Sequence, residues 1–106
     1  MDGRRFHEGR GLVGLAVPSE EAGEGRVRIG VTVSRTIKGA TERNRVRRRL
    51  REAARAEMLA HDSPLRQGGI RYDVVLIARP AALEMSFADL RAEASQAALR
   101  LAHTKA

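Results

Sequence analysis

Val27, Ile29, Val31 and Val33 alternate with Arg28, Gly30, Thr32 and Ser34. This period of two places one aliphatic set on a single face of a strand over residues 27–34. Ahead of it, LVGLAV at residues 12–17 is a short apolar run between Gly11 and Pro18 and fits a strand better than a helix. The intervening PSEEAGEGR is punctuated by Pro, Ser and Gly, so a loop is expected there and the two strands are expected to form a hairpin. Residues 1–10 are polar and glycine-bearing around Phe6, and are expected to be extended or frayed.

After a polar, glycine-bearing turn the period lengthens. From about Thr41 to about His61, Val46, Leu50, Ala53 and Ala54 fall on one side of a helix. Asn44, Arg47, Arg48, Arg51 and Arg55 fall on an adjoining side. Glu52 stands three residues after Arg49 and four after Arg48, a spacing that predicts local ion pairing. The helix should stop before Pro64, with a loop over residues 64–69. IRYDVVLIA at residues 70–78 is continuously apolar from Val74 to Ala78, as for an interior strand covered on both faces. Ser86, with Asp89 three residues on and Met85 and Leu90 flanking, marks the start of a last helix carried by Phe87, Leu90, Ala94, Ala97, Ala98 and Leu101. Strand, strand, helix, strand, helix is the expected order, with the first strand region open to being split.

Composition adds the partner. The 106 residues suffice for one domain, and with aromatics at 3% its core must be thin and aliphatic. The net charge is +7, and Lys38 and Lys105 are the only lysines among 20 basic residues. A polyanion is the expected partner, and arginine's planar, bidentate donors favour nucleic acid over a lipid surface. Without cysteine, disulfides, thiolate metal sites and cysteine nucleophiles are excluded. No signal peptide or membrane-length apolar run is present, so a cytoplasmic protein with no membrane partner is expected.

A protein nuclease needs clustered carboxylates for metal ions or a histidine pair for acid and base work. Here the acids are scattered, and His7, His61 and His103 lack ligand spacing. The arginine-rich helix stands out: eight basic residues and two acids fall between Arg35 and Glu52. Charge alone leaves open RNA binding, DNA binding and a generic or ribosome-associated RNA-binding domain.

Residues 34–54 resemble the protein subunit of bacterial ribonuclease P, whose signature is an Ala-x-x-Arg-Asn-Arg run followed by basic residues on a helix. The match comprises Ala40, Arg43, Asn44, Arg45, Arg47, Arg48 and Arg51, then Glu52, Ala53 and Ala54, preceded by RIGVTVSR. IARPAALEMSFADLRAEASQAAL is similar to the family's final strand, Arg-Pro turn and last helix, so the resemblance covers nearly the whole chain. It implies an α+β fold: a two-layer α/β sandwich whose mixed four-stranded sheet includes a left-handed β-α-β crossover, the fold type of the second domain of a small-subunit ribosomal protein. One domain would span residues 1–106. It also implies no catalytic residue and no metal on the protein. A ribonuclease P RNA would perform the hydrolysis with Mg2+, assisted by the protein, which would bind that RNA and the unpaired 5′ leader of precursor tRNA.

Carried onto this chain, the resemblance assigns RNA binding to Arg35, Lys38, Arg43, Asn44, Arg45, Arg47, Arg48, Arg51 and Arg55. It assigns the leader to a cleft between the sheet and the central helix, with Phe6, Arg28 and Tyr72 as candidates, although Phe6 and Tyr72 equally suit core packing. The chain departs from the family in three ways. Thr36 stands where a basic residue is usual, Lys38 stands where glycine is usual, and no basic first helix precedes the first strand, so that helix is expected to be absent.

Overall fold

In the computed structural model the chain runs β1 (Arg4–Glu8), β2 (Leu12–Pro18), β3 (Val27–Val33), α1 (Ala40–Glu57), β4 (Tyr72–Ala78), a 3₁₀ turn (Pro80–Leu83) and α2 (Phe87–His103). The described residues are 4–18, 27–59 and 72–103, less the side chains of Pro18, Val27, Tyr72 and His103. The loop expected at 64–69, His61 and most of PSEEAGEGR lie outside them.

The four strands form one mixed sheet in the order β1-β2-β4-β3. β2 pairs antiparallel with β1 and with β4, and β3 pairs parallel with β4. The expected hairpin of β2 with β3 is therefore not formed. β4, with the longest continuous aliphatic run, takes the place between them, and β2 makes its hairpin with β1 instead. Residues 4–8, expected to be extended or frayed, are extended and form that partner strand, held by the register Arg4↔Ala16 to Glu8↔Val13. Three strands thus precede α1.

Both helices pack on one face of the sheet. Val46, Leu50, Ala53 and Ala54 of α1 and Leu90, Ala94, Ala97, Ala98 and Leu101 of α2 bury against Leu12, Ala16, Val33, Val74, Leu76 and Ala78. Burying a Leu or Val side chain contributes about 1.5–3 kcal/mol, and the many alanines let the helices approach closely. β4 is not covered on both faces as its apolar run suggested: Val74, Leu76 and Ala78 are buried, whereas Val75 and Ile77 between them are only partly so. In β3, Ile29 and Val31 lie against the core, and Arg28, Gly30 and Thr32 point the other way, exposed.

The helix ends follow local chemistry. α1 begins after Gly39 at φ 93, a conformation that side chains disfavour, and stops at Glu57, short of the expected His61, with Met58 as a fully buried cap residue. At the start of α2 the Ser86 hydroxyl accepts the Asp89 backbone N–H at 3.0 Å, the expected N-cap.

Candidate nucleic-acid interface

The turn from β3 into α1 is built tightly. Ser34 continues the ladder by donating its N–H to the Ala78 carbonyl at 2.9 Å, and the Ile37 N–H returns to the Ser34 carbonyl at 3.1 Å. Ile37 is buried, which pins the turn to the core and leaves Arg35, Thr36 and Lys38 exposed around it. Arg43 reaches back from α1, and its Nη1 donates to the carbonyls of Ser34 and Ile37, both at 3.0 Å. Its guanidinium therefore braces the turn from the inside.

The other arginines of α1 divide by helical position. Arg49 donates to the carbonyls of Ala82 at 3.3 Å and Met85 at 2.5 Å, tying α1 to the segment before α2. The expected pairing of Glu52 with Arg48 or Arg49 is not made; those carbonyls satisfy Arg49, and both Arg48 and Glu52 are exposed. Arg47 is half-buried and donates to the Asn44 side-chain oxygen at 3.2 Å. Asn44, Arg45, Arg48, Arg51 and Arg55 are exposed. Among the described residues none of Arg45, Arg48, Arg51 and Arg55 pairs with an acid. Arg48 to Arg55 covers about 10 Å of helix, so α1 presents a row of unneutralised guanidinium groups continuous with Arg35 and Lys38.

The leader candidates do not gather in one cleft. The space between the sheet and α1 is filled by the core. Phe6 packs against that core over Gly14, where an added Cβ would lie 2.5 Å from its ring. Arg28 projects from the opposite face, where its Nε and Nη2 donate to the two Asp73 carboxylate oxygens at 2.7 and 2.9 Å. Tyr72 opens β4, and its side chain lies outside the described residues.

Two features escaped the sequence reading. First, that opposite face is a lightly covered aliphatic floor. The register aligns Gly30, Val75 and Leu15 in one row and Thr32, Ile77 and Val13 in the next. Second, the Glu93 carboxylate is buried in α2, where it accepts the Gly11 N–H at 2.8 Å, the Leu12 N–H at 3.0 Å and the His7 Nε2–H at 2.9 Å. His7 Nδ1 then accepts from Arg100 at 3.2 Å. The signal was available: Glu93 falls three residues after Leu90 and four before Ala97, on the apolar stripe of α2, where an acid needs buried donors. Arg79 completes this anchor of the β1–β2 loop by donating to the Gly9 carbonyl at 2.7 Å.

Among the described residues no three His, Asp or Glu side chains are grouped to hold a metal ion, and no helix is long and apolar enough to cross a membrane. The arrangement defines a basic α+β protein with a row of exposed arginines on one helix and its preceding turn. The sequence profile of the family described as Ribonuclease P matches residues 1–102, and the chain belongs to that family. It is 37% identical over 93 residues to the ribonuclease P protein component of Caulobacter vibrioides, covering 88% of this chain and 58% of that protein. It is 39% identical over 90 residues to that of Symbiobacterium thermophilum, covering 81% of this chain and 71% of that one. The chain thus spans somewhat over half the length of the Caulobacter relative. Its fold matches the Staphylococcus aureus RNase P protein with TM-score 0.69 at 23% identity, covering 95% of this chain and 82% of that one. It also matches the Thermotoga maritima protein with TM-score 0.63 at 24% identity, covering 87% and 77%.

Proposed function

We propose that this chain is the protein subunit of ribonuclease P, acting as one domain over residues 1–106 in the cytoplasm. It assists a catalytic RNA in removing the 5′ leader of precursor tRNA. The observation that carries this reading is the row of exposed arginines on α1 without acid partners, at the Ala40 to Arg45 signature. Folded RNA presents closely spaced phosphates, and neutralising them releases counterions without reading sequence. Arg35, Lys38, Arg45, Arg48, Arg51 and Arg55 supply those contacts, Asn44 and Arg47 add directed hydrogen bonds, and Arg43 holds the turn in shape. In this reading the RNA subunit uses the Mg2+, and the protein's part is to bind and position.

The leader is placed on the open sheet face, because the space under α1 is occupied by the core. β3 is an edge strand beneath α1, so an RNA strand leaving the arginine row passes directly over that edge onto Gly30, Val75 and Leu15. Many leaders would fit, since the contact is to aliphatic floor and backbone charge. Reconstitution with a ribonuclease P RNA tests the reading. The protein alone should leave precursor tRNA intact, and its addition should restore cleavage by the RNA at low Mg2+. A protein that binds RNA generally but restores no cleavage would instead be a generic RNA-binding domain.

A further inference from the structure

The β1–β2 loop is fastened from three sides and carries an arginine at its tip. Gly9 donates its N–H to the Leu12 carbonyl at 2.9 Å, which closes the turn around Arg10. The Gly11 and Leu12 N–H groups run to the buried Glu93 carboxylate of α2 at 2.8 and 3.0 Å. From the end of β4, Arg79 donates its backbone N–H to the Gly11 carbonyl at 2.9 Å and its Nη1 to the Gly9 carbonyl at 2.7 Å. Close approach requires both glycines: a Cβ on Gly9 would strike Glu93 and His7, and one on Gly11 would strike Met85. Arg10 between them is exposed. The two acids that belong to this loop are engaged elsewhere, Glu8 by Arg5 at 2.9 Å and Glu93 by the backbone and His7. Among the described residues Arg10 therefore has no acid partner.

The register places this arginine relative to the others. Leu12 and Val33 both align with Ala78, so the three form the last row of the sheet at one end. Beyond that row the chain continues as Gly11 and Arg10 from β2, as Arg79 from β4, and as Ser34 and Arg35 from β3. Neighbouring strands lie about 4.8 Å apart, so the β2 and β3 ends of this rim are separated by about 10 Å. Arg10, Arg79, Arg35 and Lys38 thus share one rim, which meets the α1 row at the turn before the helix.

We propose that Arg10 is a second phosphate anchor for the RNA subunit, presented by the braced Gly-Arg-Gly loop at the far end of this rim. The proposal rests on the reading of the α1 row as an RNA surface and extends that surface around a corner. The rim runs across the strands, whereas α1 turns back over the sheet. Two arms at an angle fit the backbones of a folded RNA better than a single unpaired strand, and phosphate contacts of this kind set orientation without reading sequence. Because the loop is already ordered in the free protein, binding there loses little backbone entropy.

The full chain is titrated against ribonuclease P RNA across a salt series, and precursor and mature tRNA are compared on the reconstituted particle. Arg10→Ala should lower the magnitude of the log K versus log salt slope by roughly 0.7–0.9, with the melting temperature and the preference for precursor over mature tRNA unchanged. Arg10→Lys should restore the slope. Arg4→Ala removes the same charge at the other end of β1 and should leave the slope as in wild type. A wild-type slope for Arg10→Ala overturns the anchor, as does an equal loss in Arg4→Ala, which would mean a general field and no site. A reduced preference for precursor tRNA in Arg10→Ala, with the slope for the RNA subunit intact, overturns the assignment to that subunit. The α1 row is judged separately by Arg51→Ala: its slope loss without one at Arg10 leaves the row standing, and a wild-type slope in both variants refutes the RNA surface itself.

Discussion

Glu93→Gln should destabilise the fold far more than a near-isosteric change at a surface acid would. The carboxylate accepts three hydrogen bonds in a buried site, two of them from the backbone N–H groups of Gly11 and Leu12. A glutamine retains one acceptor, which can serve Gly11. Its amide nitrogen then faces the Leu12 N–H and the His7 Nε2–H, donor against donor. His7 can shift its proton to Nδ1 to accept from the amide, but that presents an N–H to Arg100, whose Nη1 lies 3.2 Å away. One buried backbone donor left unsatisfied costs about 1–3 kcal/mol, and one hydrogen bond to a charged acceptor lost costs about 1.5–3 kcal/mol. Relief from desolvating the carboxylate offsets part of this. The net expectation is about 2–4 kcal/mol, a large share of the stability of a small domain at about 5–15 kcal/mol. Thermal unfolding followed by circular dichroism should show the midpoint falling by about 10 °C or more. Amide exchange should show lost protection at Gly11 and Leu12. A variant that melts within about 2 °C of wild type, with those amides still protected, would refute the assignment of Glu93 as the buried anchor of the β1–β2 loop.

Arg51→Ala should leave the melting temperature nearly unchanged and lower the magnitude of the log K versus log salt slope for RNA by roughly 0.7–0.9, since one phosphate contact is lost; filter binding across a salt series checks it. Arg43→Ala should instead reduce stability by about 1–3 kcal/mol through the freed carbonyls of Ser34 and Ile37, and RNA affinity with it, as denaturant titration would show. Gly14→Ala should push the Phe6 ring off its seat and cost about 1–3 kcal/mol, measured the same way. Leu76→Ala, in the fully buried middle of β4, should cost about 2–5 kcal/mol.

The helices and their faces were legible because helical period and capping are local. Val46, Leu50, Ala53 and Ala54 are buried where the spacing placed them, and Ser86 caps α2 through its own hydroxyl. The alternation in β3 likewise assigned its inward and outward sides. The basic row was legible as a row, but not its division of labour. Arg43, Arg48 and Arg49 look alike in sequence, yet one braces a turn, one is exposed and one grips Ala82 and Met85.

Strand pairing was not legible, because which strands adjoin depends on contacts distant in sequence. Two adjacent aliphatic runs suggest a hairpin until a third, more apolar run claims the position between them. The covering of a face is equally non-local. The run 74–78 is apolar on both sides, and only the placement of both helices on one side left Val75 and Ile77 on an open surface. By itself, the chain determined its elements, its charge and its family signature, since these are carried by neighbouring residues. The tertiary structure decided which arginines remain available, which sheet face stays open and why a buried acid is tolerated in α2. Each of these depends on donors, acceptors and empty space supplied by residues far along the chain.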